Sequence, residues 1–330
     1  MSNIFYYGFY LFDYIIAKLA DITFFNLNVG VFTEMRFILY YLCLFIVFRS
    51  IENKKKPIIL ILLILVNIGF YHKLIIIDEV VFFDVGQGDS IFINSETHNC
   101  RAVIDTGGGR NYKPSNKTIK YFSSVQIKQL DYLFISHSDL DHANDIDIYL
   151  NNLRVKNIVL STYDSGEIVD KISVLAQSRN INIKHVHAYN KVECGKLTFF
   201  ILHPEQKYTN SNDNSLVILV NLNGDKYLFT GDAKFDKIII EKEKSIDYLK
   251  ISHHGSKYQT DDSLFSKVEI KNAIISVGIN NYGHPSQEVL DILLKHDVQV
   301  YRTDRDGSIV IRYYLRFKRM QSFFRPLYQR

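Results

Sequence analysis

Directly after the short apolar run Tyr132 to Ser136, the chain reads His137-Ser138-Asp139-Leu140-Asp141-His142, four ligand-type side chains within six residues. On a regular helix these side chains would spread around the axis, whereas on a loop anchored by a strand they can converge on one point. The stretch therefore calls for a fold in which strands end in exposed loops, and it calls for a bound cation. Neutral imidazoles mixed with carboxylates suit zinc, manganese or iron, while an all-oxygen set would suit magnesium or calcium. Thiolates are not expected to contribute. The three cysteines, at positions 43, 100 and 194, fit neither a disulfide framework nor a paired-thiol zinc site.

The surroundings divide the chain in two, with a boundary near residue 78. Residues 29 to 48 are apolar from Phe37 to Phe48 but carry Glu34 and Arg36, and residues 57 to 71 are almost wholly apolar. With a few flanking residues each approaches the length of about 20 residues that a bilayer-spanning helix needs. Arg49 and Lys54 to Lys56 lie between them, so the positive-inside rule places that loop in the cytoplasm and residues 78 to 330 outside. Residues 1 to 28 read as an interfacial helix, with Asp13, Lys18 and Asp21 interrupting aromatic and aliphatic positions.

From Val80 onward short strands alternate with turn signals. Val80 to Val85 and Ser90 to Asn94 flank Gly-Gln-Gly-Asp, and Arg101 to Ile104 leads into Asp-Thr-Gly-Gly-Gly. A helix-like stretch ends at Leu153. Further strands are expected at 157–160, 197–202, 216–222, 226–230, 247–252, 273–277, 299–302 and 308–313, with a helix at 287–296 and a hairpin at Asn223-Gly224. This pattern predicts a layered α/β domain over 78–330. That domain holds 32 basic and 31 acidic residues, so its charge does not mark it as a nucleic-acid binder. Arg312 to Arg330 has six basic and no acidic residues and reads as a final strand with a solvated tail.

The loop at 137–142 resembles the HxHxDH signature of metallo-β-lactamase fold hydrolases, with Asp139 in place of the second His. That HxDxDH form is typical of the ComEC competence proteins, membrane proteins of bacterial DNA uptake. Phe83 to Asp89, Ile104 to Gly107, Asn212 to Val217, Thr230 to Asp232, Lys250 to Ser256, Tyr282 to Pro285 and Tyr301 to Gly307 follow in that family's order. The resemblance covers residues 80 to about 313. It implies an αββα sandwich preceded by about two transmembrane helices, that is, a membrane segment at 1–77 and a hydrolase domain at 78–330.

The resemblance also implies a site. One or two divalent ions, zinc or manganese, would be held by His137, Asp139, Asp141, His142, Asp232, His253 and His254, with Asp232 shared between ions. Asp141, His142 and Asp232 would take the principal ion, and His137 with Asp139 a second. His253 and His254 are adjacent at a strand end, so at most one is expected to face the metal, and which one stays open. The catalytic set is Asp141, His254 and His284, with the imidazole that does not bind metal or His284 placed against the leaving group. Asn214, Ser215 and Tyr282 are expected to contact substrate. At the position where the fold usually supplies another His this chain has Asn214 and Ser215, with His203 somewhat earlier. Asp105 is expected to hold the metal loop, and Gln87 and Asp89 to be exposed residues within reach of the site. His185, His187 and His296 read as surface residues. Ala143-Asn144-Asp145 stands where the family has a small residue and two glycines, which would narrow the approach to the metal.

The implied activity is cleavage of a phosphodiester, with single-stranded DNA as substrate, by metal-activated water outside the cytoplasmic membrane. A separate channel subunit is the implied partner, because the chain lacks the family's larger helix bundle. Two alternatives remain: a hydrolase of the same fold acting on a lactone or small phosphoester, and a non-catalytic module of a DNA-uptake channel.

Overall fold

The computed structural model describes residues 78–323 except 110, 111, 239, 241, 242, 315 and 316, together with Tyr41, Leu42, Phe45, Ile46 and Arg49. The chain divides into one unit of residues 1–74 with 121–126 and a second of residues 75–120 with 127–330. In the first unit, the five residues between 41 and 49 are helical and exposed. The expected membrane segments at 29–48 and 57–71 otherwise lie outside the described residues. Among the described residues no helix is long and apolar enough to cross a membrane.

The second unit is built on two sheets. The first has eight strands in the order β15 (Phe317–Phe323), β14 (Ser308–Tyr314), β1 (Asp78–Phe82), β2 (Ile91–Ser95), β3 (Cys100–Ile104), β4 (Gln129–Phe134), β5 (Arg154–Ser161) and β6 (Asn182–Val186). The second has seven, in the order β13 (Gln299–Arg302), β12 (Glu269–Ile275), β11 (Ser245–Lys250), β10 (Asp225–Phe229), β9 (Val217–Leu222), β8 (Leu197–His203) and β7 (Lys191–Cys194). Strands β3 to β6 pair in parallel, as do β10 to β13, while the β1–β2 and β9–β10 hairpins are antiparallel. Parallel strands lie between two covered faces, and the apolar ends of β4 and β12, Leu133-Phe134 and Ala273-Ile274-Ile275, are accordingly buried on both.

The inner faces meet in one core. Phe134 packs on Phe199 at 4.8 Å between ring centres and Phe82 on Phe229 at 6.0 Å, each pair crossing from one sheet to the other. The outer face of the second sheet buries Val217, Leu228 and Ala273 against Val289 and Leu293 of a helix at Gln287–Lys295. That helix starts where Ser286 accepts a hydrogen bond from the Val289 amide, a side-chain N-cap. On the first sheet, the helix Ile146–Asn152 buries Tyr149, whose hydroxyl lies 2.7 Å from Ser90 Oγ of the first hairpin. The predicted sandwich layers are therefore present. Two short edge strands, β6 and β7, were not expected from sequence. Their alternating exposed positions, Asn182, His185, Lys191 and Glu193, leave too little apolar signal to read. The predicted last strand is extended by β15, which adds an antiparallel edge to β14; residues 324–330 lie outside the described residues.

Two sequence expectations need correction. Cys100 and Cys194 form a disulfide, with Cα atoms 5.3 Å apart, joining β3 of one sheet to β7 of the other. The partners are 94 residues apart, and only the stacking of the two sheets brings them together. Asp89 is not exposed: its residue surface is 1% accessible, because the loop that carries it folds down onto the metal loop.

Candidate metal centre

Every candidate ligand follows the end of a strand. Asp105 follows β3, His137 to His142 follow β4, Asp232 follows β10, and His253 and His254 follow β11. The parallel strands deliver these loops to one end of the sandwich, and the first hairpin adds Asp89 from the loop between β1 and β2.

Asp105 is the anchor of the site. Its carboxylate accepts hydrogen bonds from the Ser136 amide at 2.6 Å and the Ser136 hydroxyl at 2.7 Å, and it lies 2.8 Å from His142 Nδ1. With Nδ1–H donating to Asp105, the Nε2 lone pair of His142 is left to face the centre. The loop expectation for Asp105 is thereby met. Asp141 is placed by a second device, the Asp89 amide donating to the Asp141 carbonyl at 3.2 Å. That approach requires Gly88, with φ of +129°, since a Cβ there would overlap the Asp141 carbonyl.

Asp232 lies at the middle. Its Oδ1 is 3.3 Å from His142 Nε2, and its Oδ2 is 3.8 Å from His137 Nε2, 3.7 Å from His253 Nε2 and 4.0 Å from His254 Nε2. His254 Nε2 is 3.2 Å from Asp141 Oδ2, and its Nδ1 is held 2.7 Å from the Ser276 carbonyl. Asp139 Oδ2 is 3.6 Å from His137 Nε2, at the exposed side of the cluster. Potential donor atoms fall into overlapping groups, His137–His142–Asp232, Asp141–His142–His254 and Asp89–Asp105–His142, each within 4.8 Å.

Both adjacent imidazoles turn toward Asp232, against the expectation that only one would. Side chains of neighbouring strand residues point to opposite faces, but His253 and His254 have left the strand for left-handed backbone, with φ of 47° and 56°. Such a conformation is costly for residues with a Cβ, and a consecutive pair of them is a mark of a functional turn. The two are not equivalent: His254 is fully buried, whereas the His253 side chain is 28% exposed and its Nδ1 lies 3.2 Å from Asn212 Nδ2.

The field of the site is that of a cation binder. Burial would drive the Asp232 carboxyl up, but His142 and His254 hold it well below the ordinary carboxylate range. Burial would likewise lower the His142 imidazole, and Asp232 and Asp105 instead raise it well above its usual value. Asp139 is held low, chiefly by the His137 imidazole beside it. His253 and His284 go the other way, lowered by burial, and His284 falls to about 4 with the help of the neighbouring His253. Four buried atoms, Asp89 Oδ1, His137 Nε2, His142 Nε2 and Asp232 Oδ1, lack a hydrogen-bond partner among the described residues. Unpaired buried donors and acceptors facing one another call for a bound group, and two imidazole nitrogens with carboxylate oxygens suit a divalent metal.

The expected substrate residues separate. Tyr282 is 76% exposed, and its ring begins a series that runs inward through His284 at 5.9 Å, His253 at a further 5.5 Å and His254 at 5.9 Å. Asn214 and Ser215 are buried and bonded to the protein: Asn214 to the backbone of Tyr208, Ser215 Oγ accepting from the Asp232 amide at 3.2 Å. Ser215 thus supports the shared ligand, and Gly231 makes room for it, since a Cβ at Gly231 would press on the Ser215 and Ser136 side chains. His203 is buried elsewhere, bonded through Nε2 to the Asp213 carbonyl at 2.7 Å. Asn144 packs against the glycine run that follows Asp105. Its amide donates to the Gly109 carbonyl at 2.9 Å and its Cβ fills the space over Gly108.

One residue had no role assigned from sequence. Lys250, the last residue of β11, is fully buried and ion-pairs with Asp89, with Asp232 Oδ1 at 3.6 Å. Its position within the strand run Tyr-Leu-Lys-Ile was the available signal, because a lysine among buried strand residues requires a buried partner.

Residues 83–279 match the family model described as the metallo-beta-lactamase superfamily. Among curated proteins, ComE operon protein 3 of Bacillus subtilis is 29% identical over 324 residues, 91% of this chain and 42% of that protein. Recombination protein 2 of Haemophilus influenzae is 29% identical over 262 residues, 76% of this chain and 31% of that protein. The chain thus spans less than half the length of either relative. Among solved structures, the metallo-beta-lactamase fold protein YhfI of Bacillus subtilis covers 72% of this chain over its whole length, at 12% identity and a TM-score of 0.49.

Proposed function

The chain belongs to the metallo-beta-lactamase superfamily, and from that membership we propose that it is a membrane-anchored, metal-dependent phosphodiesterase that cuts single-stranded DNA during competence. The observation that carries the hydrolytic part is the convergence of unpaired buried atoms, His137 Nε2, His142 Nε2 and Asp232 Oδ1, at the end of the sandwich. DNA as the substrate is supported by the relatives, one named for the ComE operon and the other for recombination.

In this reading Asp141, His142, Asp232 and His254 would hold the principal ion, and His137 and Asp139, with Asp232 shared, would hold another. A divalent ion there supplies Lewis acidity, bringing the pKa of bound water toward neutrality and neutralising charge on phosphoryl oxygens. Asp105, Ser215 and the Ser276 carbonyl keep His142, Asp232 and His254 aimed inward. His253 and His284 face the open side; because both are held neutral near pH 7, either can accept a proton or hydrogen-bond a phosphate ester. Tyr282 offers an exposed ring on which a base can stack. With a nearly neutral domain, affinity for DNA depends on such local contacts or on delivery by a channel subunit.

Placement on the outer side of the cytoplasmic membrane is part of the proposal. It is supported by the basic loop of Arg49 and Lys54 to Lys56 between two apolar runs and by the Cys100–Cys194 disulfide, a bond that persists in oxidising compartments. The test is incubation of the purified chain with single-stranded DNA at low salt with manganese or zinc. Slow degradation that Asp141→Ala abolishes is the expected result. Metal-loaded protein that spares DNA but opens a lactone or a small phosphoester would sink the nuclease reading.

A further inference from the structure

Lys250 carries a full positive charge into the most carboxylate-rich part of the interior. Its side chain has no solvent exposure; its ammonium ion-pairs with Asp89, donates to the Gly231 carbonyl at 2.8 Å and stands 3.6 Å from Asp232 Oδ1. Asp89, Asp105 and Asp232 are each only 1–2% exposed. These three carboxylates share two imidazoles, His142 and His254, and one ammonium, Lys250, and carboxylates removed from water without counter-charge are strongly destabilising. Leu249 and Ile251 on either side of Lys250 belong to the apolar core, and the imidazoles near Asp89, His142 at 3.6 Å and His254 at 3.9 Å, stand farther from it than the Lys250 ammonium does. Lys250 is also too enclosed to touch a substrate. Its Nζ instead joins two elements: the loop of the first hairpin through Asp89, and the Gly231-Asp232 turn after β10.

We propose that Lys250 is the resident counter-cation of the metal centre, a positioning residue whose fixed charge holds Asp89 and Asp232 together in the metal-free protein and against which the divalent ion then binds. This rests on the reading of the cluster as a metal centre. Two consequences have opposite signs. Without Lys250, the metal-free protein loses the charge that holds its carboxylates together. With Lys250 gone, an incoming ion meets a more negative site, and Coulomb attraction at a few ångströms is large enough to tighten binding by about tenfold or more.

The experiment compares the full wild-type chain with Lys250→Met and with Asp89→Asn/Lys250→Met. Unfolding temperature is measured in chelator and with saturating manganese or zinc, and the dissociation constant for the same metal is determined. Lys250→Met should unfold at much lower temperature in chelator, recover most of the loss with metal, and bind metal about tenfold tighter. The double variant, which removes both charges of the pair, should regain stability in chelator. Equal destabilisation with and without metal, or weaker metal binding by Lys250→Met, would overturn the proposal. Should Lys250→Met fail to fold in chelator, the double variant decides: folding there supports the charge role, and failure assigns Lys250 to packing. A wild-type chain that takes up neither ion overturns the metal-centre reading, while the chelator comparison still tests whether Lys250 holds the carboxylates.

Discussion

At the start of β1 the Asp78 carboxylate is as deeply buried as that of Asp232 after the end of β10, at 1% and 2% exposure. Asp78 accepts from Ser95 Oγ at 3.1 Å, the Thr97 amide at 3.0 Å, the Thr97 hydroxyl and Asn223 Nδ2 at 2.9 Å. Close by, at the same end of the strands, Tyr313 donates to Asp225 at 2.6 Å, and its oxygen lies 2.5 Å from that of Tyr227. Asp232 has one oxygen, Oδ1, with no hydrogen-bond partner among the described residues, and four imidazoles, those of His137, His142, His253 and His254, lie within 4.0 Å of its carboxylate. The Asp78 end is closed by the chain's own donors; the Asp232 end is built with an acceptor and donor surplus that an added cation would relieve. Burial of charge alone therefore does not mark a functional site. Burial with incomplete pairing does.

The strongest way to break this contrast is to remove a group at each end and measure metal. Asp232→Ala should abolish stoichiometric metal, and Asp105→Asn, which frees the Nδ1 side of His142, should weaken affinity about 10–100-fold. Asp78→Asn should leave metal content unchanged; elemental analysis of the purified proteins decides both. Metal retained in Asp232→Ala would dissolve the distinction.

Next in size is the disulfide, which lies where β3 begins and β7 ends, away from the ligand-bearing strand ends. Replacing Cys100 and Cys194 by Ala should destabilise the fold by about 2–5 kcal/mol, since the bond closes a long loop, with metal affinity of the folded protein unaltered. Denaturant titration and metal competition on the same sample separate the two. A smaller loss, about 1–3 kcal/mol, is expected for Tyr313→Phe, which leaves buried Tyr227 and Asp225 short of a partner.

The smallest effect is a pH dependence. Burial pushes the Asp78 carboxyl up, and the hydrogen bonds from Thr97, Asn223 and Ser95 more than offset this, holding it below the usual range. A lowered folded-state value contributes stability above the unfolded value, near 4, and loses it as pH falls through the folded one. The stability gap between wild type and Asp78→Asn, measured in chelator, should thus be full at neutral pH and shrink below about pH 4. A gap independent of pH would mean that the asparagine amide, not the lost charge, destabilises.

The ligand-bearing end was the more legible in sequence, because its chemistry is local. His137 to His142 fall within six residues after a strand, and Asp232, His253 and His254 each stand at a strand end in a short motif. What sequence did not disclose depends on approach between distant segments. Asp89 and Lys250 meet across two sheets, Cys100 and Cys194 likewise, and no spacing rule connects them. The joint inward turn of His253 and His254 escapes the sequence for a different reason: strand alternation does not extend to these residues, three and four past the end of β11, where the backbone is left-handed. Asn214 and Ser215 are expected from sequence to contact substrate, but they are enclosed by the segment from His203 to Tyr208 and by the Gly231 turn.

The disulfide also imposes an order on assembly. Cys100 belongs to the eight-stranded sheet, and Cys194 closes the first strand of the other sheet to emerge during synthesis. When residue 194 is delivered, β1 to β7 exist, whereas β8 to β13 and the ligands Asp232, His253 and His254 are still to come. Oxidation at that moment would tether a single edge strand to the six strands of the first sheet already made, β1 to β6, and give the remaining six strands of the second sheet a fixed border on which to add, one beside the next, from β8 through to β13. The half-site made of His137 to His142 would then wait, already framed, for the half that completes it.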